Sequence, residues 1–375
     1  MKKILLFFPF VFLFIAVKAQ QVATAFPSLQ LPVDARSAAM AGATTALSAD
    51  ISSVNANPAR LALIQSQHSV SFDFLPFKSI SSDAKKMAVK YGIKTSARST
   101  AALSLNYYTT GQINLRNELG ATLGSIKQSE YFFTLSYGLQ VGSYGYAGAS
   151  LRYLHQGNLV SQTDNLVVSG GGAIAADFGY LHSIPLSDAF EHIKLGASLT
   201  NVGSKLSGLY QPMNLSLAAT YNNGYYDADR LSMQDFAFLA GIQLDKPMVP
   251  SMPVYDANGQ IIAGKNPERS VLSNIVSTWN DAPGGFRENI RQIRLGIYAE
   301  AMFQKQFAVR AGYAYEDPLY GSRNFASIGA GVKWEYQDTD YTLNFSFQQP
   351  MGKLVSSSPL RNAYSLQFLI QFGEK

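Results

Sequence analysis

The chain has 375 residues, 30 basic and 25 acidic side chains, 21 Tyr, 23 Phe and no cysteine. Charged residues make up 15%, well below the roughly 25% of soluble domains. The near-balanced charge and the lack of any Lys/Arg-rich run argue against nucleic-acid binding, and the absence of cysteine excludes a disulfide framework.

The chain opens with "MKKILLFFPFVFLFIAVKA". Lys2 and Lys3 are followed by an apolar run from Ile4 to Val17 and a small-residue cleavage pattern ending at Ala19. This reads as a signal peptide over residues 1–19. The run is too short for a spanning helix, which needs about 20 apolar residues, and Pro9 interrupts it. Loss of Lys2, Lys3 and Lys18 leaves 27 basic against 25 acidic residues. No later stretch is long and apolar enough for a membrane helix.

Residues 37–64 read "SAAMAGATTALSADISSVNANPARLALI". The stretch has neither strand alternation nor an unbroken helical pattern, because Asn57-Pro58 interrupts it. Its small residues suit close packing inside another structure. Leu61, Leu63 and Ile64 would be exposed in a free tail. Residues 20–64 are therefore expected to form a hatch, starting on the periplasmic side of a barrel.

From residue 65 onward, period-2 alternation dominates. In "NAYSLQFLIQF", Tyr364, Leu366, Phe368, Ile370 and Phe372 alternate with Ser365, Gln367, Leu369 and Gln371. Fourteen such runs lie near 67–76, 85–94, 98–109, 129–141, 144–155, 171–182, 192–202, 213–223, 235–245, 292–302, 306–315, 324–335, 339–348 and 362–373. Most have the length of a tilted transmembrane strand. The predicted fold is all-β: a 14-stranded antiparallel outer-membrane barrel over residues 65–375 with an N-terminal plug in its lumen. Connections are mostly short after even-numbered strands and long after odd ones. Both chain ends are thus expected in the periplasm, and the 246–291 loop outside the cell.

About 14 strands enclose more space than their own side chains fill. By parity, Arg152, Asp177, Arg294, Glu300, Arg310, Glu316 and Lys333 point inward, as a lumen charge network of both signs. The four histidines share no metal-ligand spacing and are read as surface residues. No nucleophile elbow, His-Glu-x-x-His or P-loop motif occurs, so neither an enzyme nor a cofactor is expected. In the long loop, Asn266-Pro267-Glu268 reads as a helix start. Val271, Leu272, Ile275, Val276 and Trp279 then share one face. Pro283, Gly284 and Gly285 end it, and Phe286 resumes the apolar spacing. This face either caps the barrel mouth or takes a partner or cargo, for which Trp279 and Phe286 are the candidate anchors.

Four motifs carry a family resemblance. They are "DARSAAMAGA" (Asp34 to Ala43, with Arg36 and Met40), "NPARLAL" from Asn57 and Pro58, "DAPGGF" (Asp281 to Phe286) and "FAVRAGY" (Phe307 to Tyr313). Together they resemble the PorV family of type IX secretion proteins, built on the FadL-like barrel, with PorQ-like proteins as a sister group. Ala41 stands between Met40 and Gly42, where the family pattern has Met-Gly. The resemblance implies an outer-membrane shuttle. It implies as partners a giant translocon barrel of the SprA/Sov kind, the C-terminal domains of secreted cargo, and an attachment complex with sortase-like PorU, PorQ and PorZ. Trp279, Pro283, Gly284, Gly285 and Phe286 would face cargo. The alternative is a FadL-like transporter of hydrophobic small molecules.

Overall fold

A computed structural model describes residues 23–373, apart from 33, 117–119, 158, 161–166, 169, 187–190, 224–235, 321–322 and 353–357. The expected signal peptide lies outside the described residues.

Fourteen antiparallel strands close into one barrel. They are β1 (His68–Pro76), β2 (Lys85–Ser96), β3 (Ser99–Thr109), β4 (Ser129–Val141), β5 (Gly145–Gln156), β6 (Gly171–Pro185), β7 (Glu191–Gly203), β8 (Asn214–Asn223), β9 (Phe236–Pro247), β10 (Arg294–Phe303), β11 (Phe307–Tyr315), β12 (Phe325–Tyr336), β13 (Thr339–Pro350) and β14 (Ala363–Phe372). Every run read from the sequence is one of these strands. Pairing of β1 with β14, from His68 opposite Phe372 to Phe74 opposite Leu366, closes the ring and removes both edges.

Alternation sets the two faces. Along β4, Tyr131, Phe133, Leu135, Tyr137 and Leu139 are exposed, while Glu130, Phe132, Thr134 and Ser136 are buried. An apolar outer face is what a strand needs in hydrocarbon, where each backbone group is satisfied by its neighbours. Trp334, Tyr341 and Phe368 stack across β12–β14 on this outer face. One end of the barrel carries tight connections, with two residues between β2 and β3 and two between β12 and β13. Gln337 and Asp338 both adopt positive φ, the backbone of a tight hairpin turn. The other end carries the long loops, the longest running between β9 and β10.

Residues 34–64 touch strands right round the ring. The helix α1 (Ala35–Ala39) contacts β11 to β14, and the 3-10 turn Pro58–Leu63 contacts β3 to β6. Leu61, Leu63 and Ile64 are buried. Glycine makes the room. Gly138, Gly148 and Gly179 stand side by side on β4, β5 and β6. A Cβ on Gly148 would lie 2.4 Å from the Pro58 carbonyl carbon and 2.5 Å from the Ala59 nitrogen; one on Gly179 would lie 1.9 Å from Asn57 Oδ1. Gly148→Val is accordingly expected to lift residues 57–63 off the wall, at about 1–3 kcal/mol or more for overpacking. Limited proteolysis of the purified barrel should then cut within 34–64 while the strands stay protected.

One expectation fails. Residues 23–32 sit at the long-loop end, not at the end where β1 begins. Ala25 N–H donates to the Tyr210 carbonyl in the β7–β8 loop at 2.8 Å. Lys86, at the long-loop end of β2, donates to the Ser28 and Pro32 carbonyls. The chain thus passes the whole length of the ring before entering β1. Sequence position alone could not show this, because it fixes only where residue 65 must be.

Ala41 adopts φ of +58°, the left-handed region that favours glycine. Ala41 is buried in one core cluster with Leu75, Phe77 and Phe325, and its N–H donates to Ser327 Oγ at 3.0 Å.

Candidate functional surfaces

The first candidate is the lumen. Asp34 caps α1, accepting from Ser37 N–H at 2.8 Å. Arg36, in the first turn of α1, grips Glu300 on β10 with Nε at 3.0 Å and Nη2 at 2.5 Å, and Nη2 also reaches Ser48 Oγ at 2.7 Å. Arg310 donates to the same carboxylate and, at 2.9 Å, to Asn344 Oδ1. Glu300 thus lies between two guanidinium groups from opposite sides. Met40 is buried with Leu47, Leu239 and Tyr298. Asn57 caps the turn that Pro58 begins, and its Nδ2 donates to the Thr45 carbonyl at 2.7 Å. Arg60 donates to three carbonyls of the same segment, at Thr44, Leu47 and Ser48.

The other charges that parity assigns to the lumen also have charged partners. Arg152 meets Asp177 at 2.7 Å, Arg294 meets Asp245 at 2.6 Å, Glu316 meets Arg323 at 2.6 Å and Lys333 meets Asp340 at 3.1 Å. Sequence reading missed the buried pair of Asp73 and Lys90, 2.9 Å apart. The parity signal was present, since Asp73 falls between Phe72 and Phe74. His192 is buried, not at the surface, because it takes an inward position on β7. Among the described residues no cluster of three His, Asp or Glu is arranged to hold a metal. A cavity of about 180 Å³ remains below the long loops, and Lys86, Arg152, Asp245, Arg294 and Arg323 line it.

The second candidate is the long loop between β9 and β10. Its helix α2 (Val271–Ser277) starts later than the sequence suggested, because Ser270, not Asn266-Pro267, supplies the cap and accepts from Ser273 N–H. The expected single apolar face divides. Val271 and Ile275 pack on Tyr210, Met213, Met248 and Val249, whereas Leu272 and Val276 are 73% and 77% exposed. Trp279 lies just past the helix with the Lys246 ammonium 5.9 Å above its ring. Pro283 and Gly284 form the turn. Gly285, at φ +68°, begins α3 (Phe286–Arg291), which leaves Phe286 67% exposed and Ile290 49% exposed.

Polar contacts hold the base of this loop. Buried Asp281 accepts from Ser251 Oγ at 3.0 Å, Ser251 from Gln292 at 2.8 Å, and Gln292 from Lys246 at 2.7 Å. Asn274 donates to the Met248 carbonyl at 2.7 Å. The Tyr210 hydroxyl lies 2.7 Å from the Arg269 carbonyl. Arg291 Nε donates to Asp317 at 2.8 Å. Burial pushes the Asp317 carboxyl up, but this bond, the Leu319 N–H and the Arg291 charge outweigh it and hold its pKa below the ordinary value. The loop therefore presents Leu272, Val276 and Phe286 from a fixed frame.

Comparison with solved structures finds the same fold. The Ralstonia pickettii toluene transporter TbuX aligns over 92% of this chain and 99% of its own, with a TM-score of 0.52 and 12% identity. The Pseudomonas putida toluene transporter TodX aligns over 90% and 96%, with a TM-score of 0.50 and 11% identity. At such identities the likeness shows the barrel fold and nothing of the cargo. No curated protein matches the chain. The model of the family described as type IX secretion system protein PorV matches residues 15–253. With that match over more than half its length, and with a closed 14-stranded barrel, the chain belongs to the PorV family and is an outer-membrane component of type IX secretion.

Proposed function

We propose that the protein is a shuttle. It takes the C-terminal domain of secreted cargo at the translocon barrel and delivers it to the cell-surface attachment complex, in which sortase-like PorU, PorQ and PorZ are the expected partners. The observation that carries this reading is the apolar ledge of the β9–β10 loop. Leu272, Val276, Phe286 and Ile290 stay exposed on a loop whose base is fixed by buried polar contacts. Apolar side chains held out of contact in this way mark a partner surface more often than a folded core. Residues 20–64 act in this reading as a hatch that keeps the barrel shut, and the long loops face outward.

The transporter reading draws on the toluene-transporter fold. The lumen gives it little support, since five charged side chains line its cavity and an apolar solute gains nothing from displacing water there. Affinity isolation from native outer membranes decides between them. The shuttle should bring down a large translocon barrel and cargo ending in a common C-terminal domain. Recovery of the barrel alone with a bound apolar small molecule would sink the shuttle reading.

A further inference from the structure

Residues 23–32 form a strap at the long-loop end, tied to three strands of the wall. Lys86 on β2 donates to the Ser28 and Pro32 carbonyls at 3.2 and 3.1 Å. Glu130 on β4 accepts from Ser28 Oγ, and Gln156 on β5 accepts from the Phe26 N–H at 3.3 Å. The Phe26 ring is wholly buried in a cluster with Phe132, Leu154 and Ala173. The same strap meets the β7–β8 loop. Thr24 forms a parallel bridge with Tyr210, whose carbonyl accepts from the Ala25 N–H at 2.8 Å. Leu206 and Leu209 of that loop pack on the Phe26 cluster. Tyr210 then carries the contact to the β9–β10 loop. It is 2% exposed and packs with Val271 and Ile275 of α2. Its hydroxyl donates to the Arg269 carbonyl at 2.7 Å and accepts from the Arg269 N–H at 3.2 Å. Ser270, the next residue, is the cap of α2.

We propose that residues 23–32 position the α2 ledge through Tyr210, so that the segment before β1 helps to build the partner surface. Tyr210 is a positioning residue, since its burial keeps it from touching a partner. The helix α2 has seven residues, and a free helix needs about 12–15 to persist in water. Its place is therefore set by what it packs on. The Tyr210 ring supports its inner face, and the hydroxyl holds the turn just before its cap. Gln211 roots the β7–β8 loop on β6 by donating to the Ile174 carbonyl at 3.1 Å. The strap adds the second hold, at Leu206, Leu209 and Tyr210. The proposal rests on the reading of the ledge as the cargo surface.

The test is the mobility of one spin label on α2 in the purified full barrel. The chain has no cysteine, so Ser273→Cys, at an exposed position, carries the only label. Tyr210→Phe keeps the ring and removes the hydroxyl. It should raise the ratio of mobile to fixed label about fivefold, the scale of one hydrogen bond. Phe26→Ala should raise the ratio too, although Phe26 and α2 belong to different clusters. Phe26→Leu, which refills the site, should restore it. Ala25→Pro removes the N–H that meets Tyr210 and carries the same expectation as Phe26→Ala, should that variant lose heat-modifiability on gels. Leu63→Ala truncates a buried residue deeper in the same segment and should leave the label unchanged. A fixed label in the folded strap variants overturns the proposal. Equal loosening by Leu63→Ala overturns it as well, because the barrel would then be softening throughout. Cargo display by cells carrying the unlabelled variants separates this proposal from the reading it rests on. Loosened label with reduced display supports both. Loosened label with normal display keeps the hold of the strap on α2 and sinks the ledge as the cargo surface.

Discussion

Glu300→Gln lowers the unfolding temperature of the barrel more than any other single conservative change in the lumen. The carboxylate is 1% exposed and takes charge-assisted hydrogen bonds from Arg36 on one side and Arg310 on the other. Glutamine keeps the shape and loses the charge. Two buried guanidinium groups then face each other across an amide. Removing one partner of a buried ion pair costs about 3–5 kcal/mol, because the remaining charge is stranded. Arg36 belongs to the segment before β1 and Arg310 to the wall, so the same change loosens that segment. The measurement is the temperature at which the compact band is lost on unheated gels, with protease sensitivity of residues 34–64 alongside. A variant that keeps the parental transition would show that water in the cavity solvates both arginines and that the triad contributes little.

Trp279→Ala combined with Phe286→Ala should abolish cargo display while leaving the barrel in place. No strand pairing depends on either side chain. Truncating each buried interface aromatic costs about 2 kcal/mol or more. Together they weaken binding by roughly three orders of magnitude, at 1.4 kcal/mol per tenfold. The double variant should reach the outer membrane at parental levels, with cargo held in the periplasm. Degradation of the variant would mean that Trp279, with Lys246 over its ring, serves the loop and not a partner. Normal secretion would move the cargo surface to the more exposed Leu272 and Val276.

Much of this architecture was legible because a membrane barrel repeats one simple rule. Period 2 with an aromatic-aliphatic face marks each strand from Val70 to Phe372, and parity then assigns Arg152, Asp177, Glu300 and Arg310 to the lumen. Strand β2 was harder, since Lys86 and Lys90 interrupt an otherwise apolar pattern. They are inward residues met by backbone carbonyls and by Asp73, a pairing that no local window contains. The path of residues 23–32 was not legible at all. It depends on Lys86 and Tyr210, about sixty and nearly two hundred residues away along the chain, and on no local propensity. The division of the α2 face was equally hidden. Helical spacing shows which residues share a side, but not that Met213, Met248 and Val249 rise to cover only half of it.

The passage of the chain through the ring has a consequence for assembly. Residues 23–64 touch the Tyr210 loop at one end and lead into β1 at the other, and the ring shuts only when His68–Phe74 pairs with Leu366–Phe372. β1 is the earliest strand made and β14 the last. Seating the segment on Gly138, Gly148 and Gly179 while the sheet is still an open trough avoids threading it lengthwise through a closed ring. The bare glycine strip on β4, β5 and β6 is then a template that the growing sheet offers before closure. The barrel curls around its own leading residues, and the final seam between first and last strands locks them in.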